Sequence, residues 1–157
     1  MKKLALLIGV SDYPPGFTSL PSTLKDVEAM RDVLLDPERG GFDQVTCLKK
    51  DPSKTKIEET IYHLFTDRQQ DDLLLFYFSG HAFTDMGGDL FLATPDIKTD
   101  PNGSVRPYTA LDTSYLKKEM TKSHSRREVI ILDCCFSAAF ARGLSAKYVG
   151  TVDIEQK

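Results

Sequence analysis

Cysteine is scarce in this chain: three residues in 157, two of them adjacent. That is no disulfide framework, and it fits a reducing, cytoplasmic setting. Long apolar runs are missing too. None approaches the ~20 residues of a membrane span, so no membrane partner is expected. Charge is nearly balanced, with a formal net charge of −3, and gives no electrostatic reason to expect a nucleic-acid partner. There is no internal repeat and no low-complexity segment. No C-x-x-C exists for zinc or dithiol chemistry, and neither a P-loop nor a G-x-G-x-x-G is present. A phosphatase loop needs Arg six positions after its cysteine; Phe140 and Ala141 stand there instead. Met1-Lys2-Lys3 before LALLIGV has the outline of a signal peptide. The run is short, however, and Ser11-Asp12-Tyr13-Pro14-Pro15 follows where a small-residue cleavage site belongs, so it reads as a first strand.

What is present suits one soluble globular domain with a real core: 41% hydrophobic and 27% charged residues. Two stretches have the same build. Asp72-Leu73-Leu74-Leu75-Phe76-Tyr77-Phe78 runs into Ser79-Gly80-His81, and Val129 to Leu132 runs into Asp133-Cys134-Cys135 and then a short small-residue helix. Continuous apolar runs of this kind are expected of parallel strands covered on both faces. Each places a reactive side chain just past the strand's carboxyl end, where open α/β sheets hold their sites. Around them the pattern predicts a strand over Leu4–Val10 and a helix capped by Ser22 or Thr23 and running to about Leu35. Its inward stripe is Leu24, Val27, Met30, Val33 and Leu34. A short strand over Val45–Leu48 follows, then a helix opened by Asp51-Pro52-Ser53. A hairpin over Phe83–Ala93 turns at Gly87-Gly88, Thr94 to Pro107 reads as a loop, and Asp112 or Thr113 caps a third helix. This order calls for a three-layer α/β/α sandwich with a mostly parallel sheet. Residues 1–142 form the domain, and 143–157 read as a tail or linker.

If the two organising strands are neighbours, about 4.8 Å apart, His81 and one cysteine of the 134–135 pair share a crevice. That is the raw material of a cysteine–histidine nucleophilic site. An extended chain points consecutive residues to opposite sides, so only one of the pair can face His81; the residues alone leave both in play. A helix start beside the cysteine favours thiolate. His63 lies in a helical pattern and His124 in a basic, polar stretch, and both read as surface residues. Asp26, early in the first helix, and Asp133, before the last, have plain roles as dipole partner and cap.

The residues also match a family. Phe78-Ser79-Gly80-His81 resembles the strand-end histidine motif of caspase-like peptidases. Asp133-Cys134-Cys135-Phe136-Ser137-Ala138 is similar to the Asp-x-Cys-x-Ser-Gly motif of metacaspases and their bacterial relatives, and the His81–Cys135 separation is near the ~50 residues of caspases. LIGVSDY (Leu7 to Tyr13) and LFLATPD (Leu90 to Asp96) read like the family's first strand and hairpin. The resemblance implies a caspase-like large-subunit fold and a cysteine endopeptidase. Cys135 is then the nucleophile and His81 the general acid/base. The N–H groups of Ala82 and Cys135 form the oxyanion hole. Asp26 and Asp133 are the acidic pair of a pocket that selects Arg or Lys before the scissile bond. The implied partners are a protein or peptide substrate, a small subunit from the same precursor and an activating protein. Self-cleavage near Lys157 would mature the precursor. No metal ligand or cofactor is assigned; calcium is required by some metacaspases, and no residue here is assigned to it. Three positions depart from the family: Ala82 and Ala138 replace usual glycines, and Phe136 a common His. The glycine departures motivate a second reading, an inactive caspase-like scaffold that binds a protein partner.

Overall fold

The computed structural model describes residues 1–136, with side chains through Cys134. The helix expected after Cys135, Ala138, and the division at residue 142 lie outside the described residues. A six-stranded, largely parallel sheet forms the middle layer. It is built from β1 (Lys3–Gly9), β2 (Gln44–Leu48), β3 (Leu73–Thr84), β4 (Leu90–Leu92), β5 (Leu111–Asp112) and β6 (Arg127–Phe136). The order is β2-β1-β3-β4-β5, with β6 on the remaining side of β3. β1, β2, β3 and β6 run parallel; β4 and β5 are antiparallel additions.

Helix α1 (Ser22–Leu35) covers one face, and α2 (Lys54–Phe65) with α3 (Thr113–Lys122) covers the other. The pleat sorts the apolar runs between them. Leu4, Leu6, Ile8, Leu74, Phe76 and Phe78 pack with Ile57, Ile61, Leu64, Phe65 and Leu116. Ala5, Leu7, Leu75 and Tyr77 pack with Val27 and Leu34. This two-sided burial explains why the strands read as unbroken apolar runs. Burying each large side chain such as Phe76 contributes roughly 1.5–3 kcal/mol.

Local chemistry sets the element ends. Ser53 caps α2 by accepting the Lys56 N–H at 3.1 Å, and Asp112 caps α3 by accepting the Ser114 N–H at 2.7 Å. The expected cap of α1 is not made. Pro21 holds the N-cap position, and the Thr23 hydroxyl instead donates back to the Leu20 carbonyl. Val33, expected inward, is 41% exposed. The hairpin turns where expected: Gly88 takes φ +88°, and the Asp85 carboxylate accepts the Gly87 and Asp89 N–H groups. The loop before α3 holds more order than its composition suggests, with a Thr99–Val105 bridge, a 3-10 turn over Pro107–Thr109 and strand β5.

Two expectations about strand ends are corrected. β3 does not stop before His81, nor β6 before the cysteines. β1 ends at Gly9, but β4 takes its place on the same side of β3, pairing Ala82–Thr84 with Leu92–Leu90. β6 pairs with β3 along its full length, to Ala82–Phe136.

Asp72 sets the common start of the three central strands. It is buried, and its carboxylate accepts the N–H of Lys2 at 2.7 Å, just before β1, and that of Gln69 at 2.9 Å. Its carbonyl accepts the Ser125 hydroxyl at 2.8 Å, just before β6. Asp72→Ala leaves two N–H groups without their acceptor and is expected to cost about 1–3 kcal/mol, read by denaturant unfolding. An unchanged midpoint would show that the strands align without it.

Candidate active site

His81 is 1% exposed and held by hydrogen bonds from both its backbone and its ring. Its N–H donates to the Tyr13 hydroxyl at 2.9 Å, and its carbonyl accepts the Ala93 N–H at 2.8 Å. Its ring Nε2 lies 2.8 Å from the Thr18 carbonyl. A carbonyl only accepts, so Nε2 carries a proton. The neutral ring then has its lone pair at Nδ1, the arrangement a general base needs.

Tyr13 fills a particular gap. On this side of β3, the Ser79 carbonyl is taken by Val10 and the His81 carbonyl by Ala93. Between them, where β1 has ended and β4 begins, the His81 N–H donates to the tyrosine hydroxyl. The ring of Tyr13 also sits 4.7 Å from the imidazole. Gly80 makes room: a Cβ there would stand 2.6 Å from the Tyr13 hydroxyl oxygen and 2.9 Å from the Phe78 ring.

The β3–β6 register sets Ser79 beside Asp133, Gly80 beside Cys134 and His81 beside Cys135. Cys134, like Ile130 and Leu132, is half-buried against the core under α2 and α3. His81 belongs to the opposite face, reaching the loop before α1. Cys134 thus lies on the face opposite His81, and the register partner of His81 is Cys135. Cys47, on β2, is half-buried, and burial pushes its thiol up. His63 and His124 are exposed, as expected.

Ala82 has register partners on both sides, Leu92 and Phe136. Ser79 and His81 direct their backbone groups toward β1 and β4, so alternation turns the Ala82 N–H toward β6, the strand that carries Cys135. The positive-φ residues other than glycine are Lys50, Asp51 and Asp67 among the described residues. Alanine at 82 therefore carries no left-handed strain in place of glycine.

Asp133 meets the Tyr77 hydroxyl, and Asp26 adds to the negative field around it. The buried Tyr77 donates its hydroxyl to Asp133 Oδ2 at 3.2 Å. Burial pushes the Tyr77 phenol up to about 12; Asp133 and Asp26 push the same way, against a Ser79 hydrogen bond. Asp133 is exposed and Asp26 half-buried. Among the described residues neither is in an ion pair.

Three contributors were missed in the sequence. The Thr18 carbonyl has no sequence signature, because any residue supplies one. Tyr13 sits in the quoted LIGVSDY but had no assigned role. Tyr77 was the one hydroxyl in an otherwise apolar run from Leu73 to Phe78, a signal that could have been used.

A mixed sheet with helices on both faces, presenting a buried histidine beside a cysteine-bearing strand, is a caspase-like α/β fold. The family model described as the caspase domain matches residues 2–156, and the chain belongs to that family. The search of curated proteins finds no match. The fold is similar to the crystal structure of a structural-genomics protein from Geobacter sulfurreducens, with a TM-score of 0.64 and 18% identity. The match covers 86% of this chain and 51% of that one, so the chain spans about half its length. Among the described residues no group of His, Cys, Asp or Glu is arranged to hold a metal ion, and no helix is long and apolar enough to cross a membrane.

Two measurements check this geometry. Gly80→Ala drives a methyl against Tyr13 and is expected to cost about 1–3 kcal/mol; wild-type stability would contradict the close packing. Tyr77 keeps its proton above the usual tyrosine value of about 10. Its contribution to stability is therefore full below about pH 10 and is lost as pH rises through about 12. In an absorbance titration of the six tyrosines, Tyr77→Phe should remove a step near pH 12; loss of a step near the usual value of about 10 would contradict the environment described.

Proposed function

We propose that this caspase-domain protein is a cysteine endopeptidase of the metacaspase type, cutting after Arg or Lys with a His81–Cys135 dyad. The observation that carries the reading is the β3–β6 register, which pairs His81 with Cys135 while Cys134 packs into the opposite core. In the proposed reaction the His81 ring takes the thiol proton, and the Cys135 sulfur attacks the scissile carbonyl. The N–H groups of Ala82 and Cys135 stabilise the oxyanion. His81 then returns the proton to the leaving amine, and water hydrolyses the thioester. The hydrogen bond from Nε2 to Thr18 supports this role, because it orients the ring and stabilises the imidazolium that forms.

The pocket proposal rests on Asp26 and Asp133. Two carboxylates without ion-pair partners among the described residues suit a guanidinium or ammonium, through charge-assisted hydrogen bonds. Such specificity lets one copy cut another after a basic residue, so self-processing of a precursor is part of the proposal. A small subunit from that precursor is the proposed partner of β6. Val129, Ile130, Ile131 and Leu132 are only half-buried, and β3 is the one strand beside β6 among the described residues. An activating protein completes the proposed partners.

Cys135→Ala and His81→Ala are each expected to abolish peptide turnover, while Cys134→Ala keeps it within a few-fold. A folded but inactive Cys134→Ala protein would overturn the nucleophile assignment. Asp26→Ala and Asp133→Ala should each weaken cleavage after Arg at least tenfold; full basic preference in both would remove the pocket.

A further inference from the structure

We infer that Tyr77 is a positioning residue of the specificity pocket, its hydroxyl holding the Asp133 carboxylate in the orientation that receives a basic side chain. The inference rests on the peptidase reading above and deepens it. Tyr77 stands in β3 between the cysteine-bearing strand and α1, with its ring packed against the Val27 cluster. It is 3% exposed, so its hydroxyl has few choices of partner. That hydroxyl reaches Asp133, whose backbone pairs with Ser79, two residues on from Tyr77 along β3. Both lie on the α1 face, the face that also carries Asp26.

The hydrogen bond occupies Oδ2 and leaves Oδ1 without a protein donor among the described residues. An exposed aspartate on a strand otherwise samples several rotamers. A buried donor fixed by the core selects one of them. It does so without adding a positive charge, which would neutralise the pocket and compete with the substrate. A lysine or arginine in the same place would form an ion pair and close the site. Tyr77 remains a donor at neutral pH, since burial and the nearby carboxylates keep its proton on. The arrangement holds the carboxylate for bidentate recognition of a guanidinium, where geometry counts for more than with an ammonium.

The test is peptide binding to Cys135→Ala protein, which removes turnover from the measurement. Two peptides are used, identical except that one ends in arginine and the other in citrulline, its neutral isostere; calorimetry gives both affinities. Tyr77→Phe is made alone, with Asp133→Asn, and alongside Asp133→Asn alone, and each variant is checked by thermal unfolding. A hydrogen bond to a charged group corresponds to about tenfold or more in affinity. Tyr77→Phe is therefore expected to weaken arginine binding about tenfold and leave citrulline binding unchanged. In the Asp133→Asn background it should have no further effect, because the residue it acts through is gone. Three results overturn the inference: unchanged arginine binding, equal loss for both peptides, or losses that multiply in the double variant. Equal affinity for the two peptides before Tyr77 is altered overturns the acidic pocket itself, and so separates failure of that reading from failure of this one. Asp133 is exposed, so Asp133→Asn is expected to fold and to report on the pocket even if Tyr77→Phe does not.

Discussion

The parallel ladder between β3 and β6 is the constraint on which the site depends. A one-residue slip would carry every side chain of β6 to the other face. Cys134 would then take the register place beside His81, and Asp133 would leave Tyr77 for the core under α2 and α3. The register is protected twice. The apolar side chains alternate correctly between two cores only in this alignment. At the strand starts, Asp72 ties Lys2, Gln69 and Ser125 to one point, so that β1, β3 and β6 set off together. Stability and chemistry are linked by this arrangement, since the same ladder that buries Phe76 and Phe78 brings His81 and Cys135 into register.

A second feature is the change of neighbour along β3. Parallel β1 gives way to antiparallel β4, and the change leaves the His81 N–H between two strands. Tyr13 takes up that N–H, and Gly80 exists as glycine because the tyrosine hydroxyl comes so close. Thr18, a few residues further along the same loop, takes the imidazole Nε2. One short segment after β1 thus holds both ends of the histidine. The proline-rich character of that segment, with Pro14 and Pro15, limits the conformations it must give up on folding.

The layers of the fold were legible because they rest on periodicity and punctuation. Apolar runs of strand length, caps at Ser53 and Asp112, and the Gly87-Gly88 turn all carry local signals, and each stands where those signals put it. Strand ends were less legible. Nothing near His81 in sequence reveals that β4 will replace β1 as its neighbour, so β3 was expected to stop short. The start of α1 was misread for a similar reason: Ser22 and Thr23 are good caps in isolation, but Pro21 and the Leu20 carbonyl take the geometry instead. In the site, alternation already required that one cysteine of the pair turn away from His81. Which one turns away depends on the core of the other face, a tertiary fact. The contributions of Tyr13, Tyr77 and the Thr18 carbonyl are also tertiary, and a run of letters does not carry a backbone acceptor supplied from a distant loop.

We propose a working His81–Cys135 dyad beside an acidic pocket. The most direct measurement is turnover of otherwise identical fluorogenic peptides ending in Arg, Lys or Asp, by the protein and by its Cys135→Ala variant. Cleavage after Arg and Lys, absent after Asp and lost in the variant, is the result expected. Cleavage after Asp would contradict the acidic pocket, and turnover that survives in the variant would contradict the dyad.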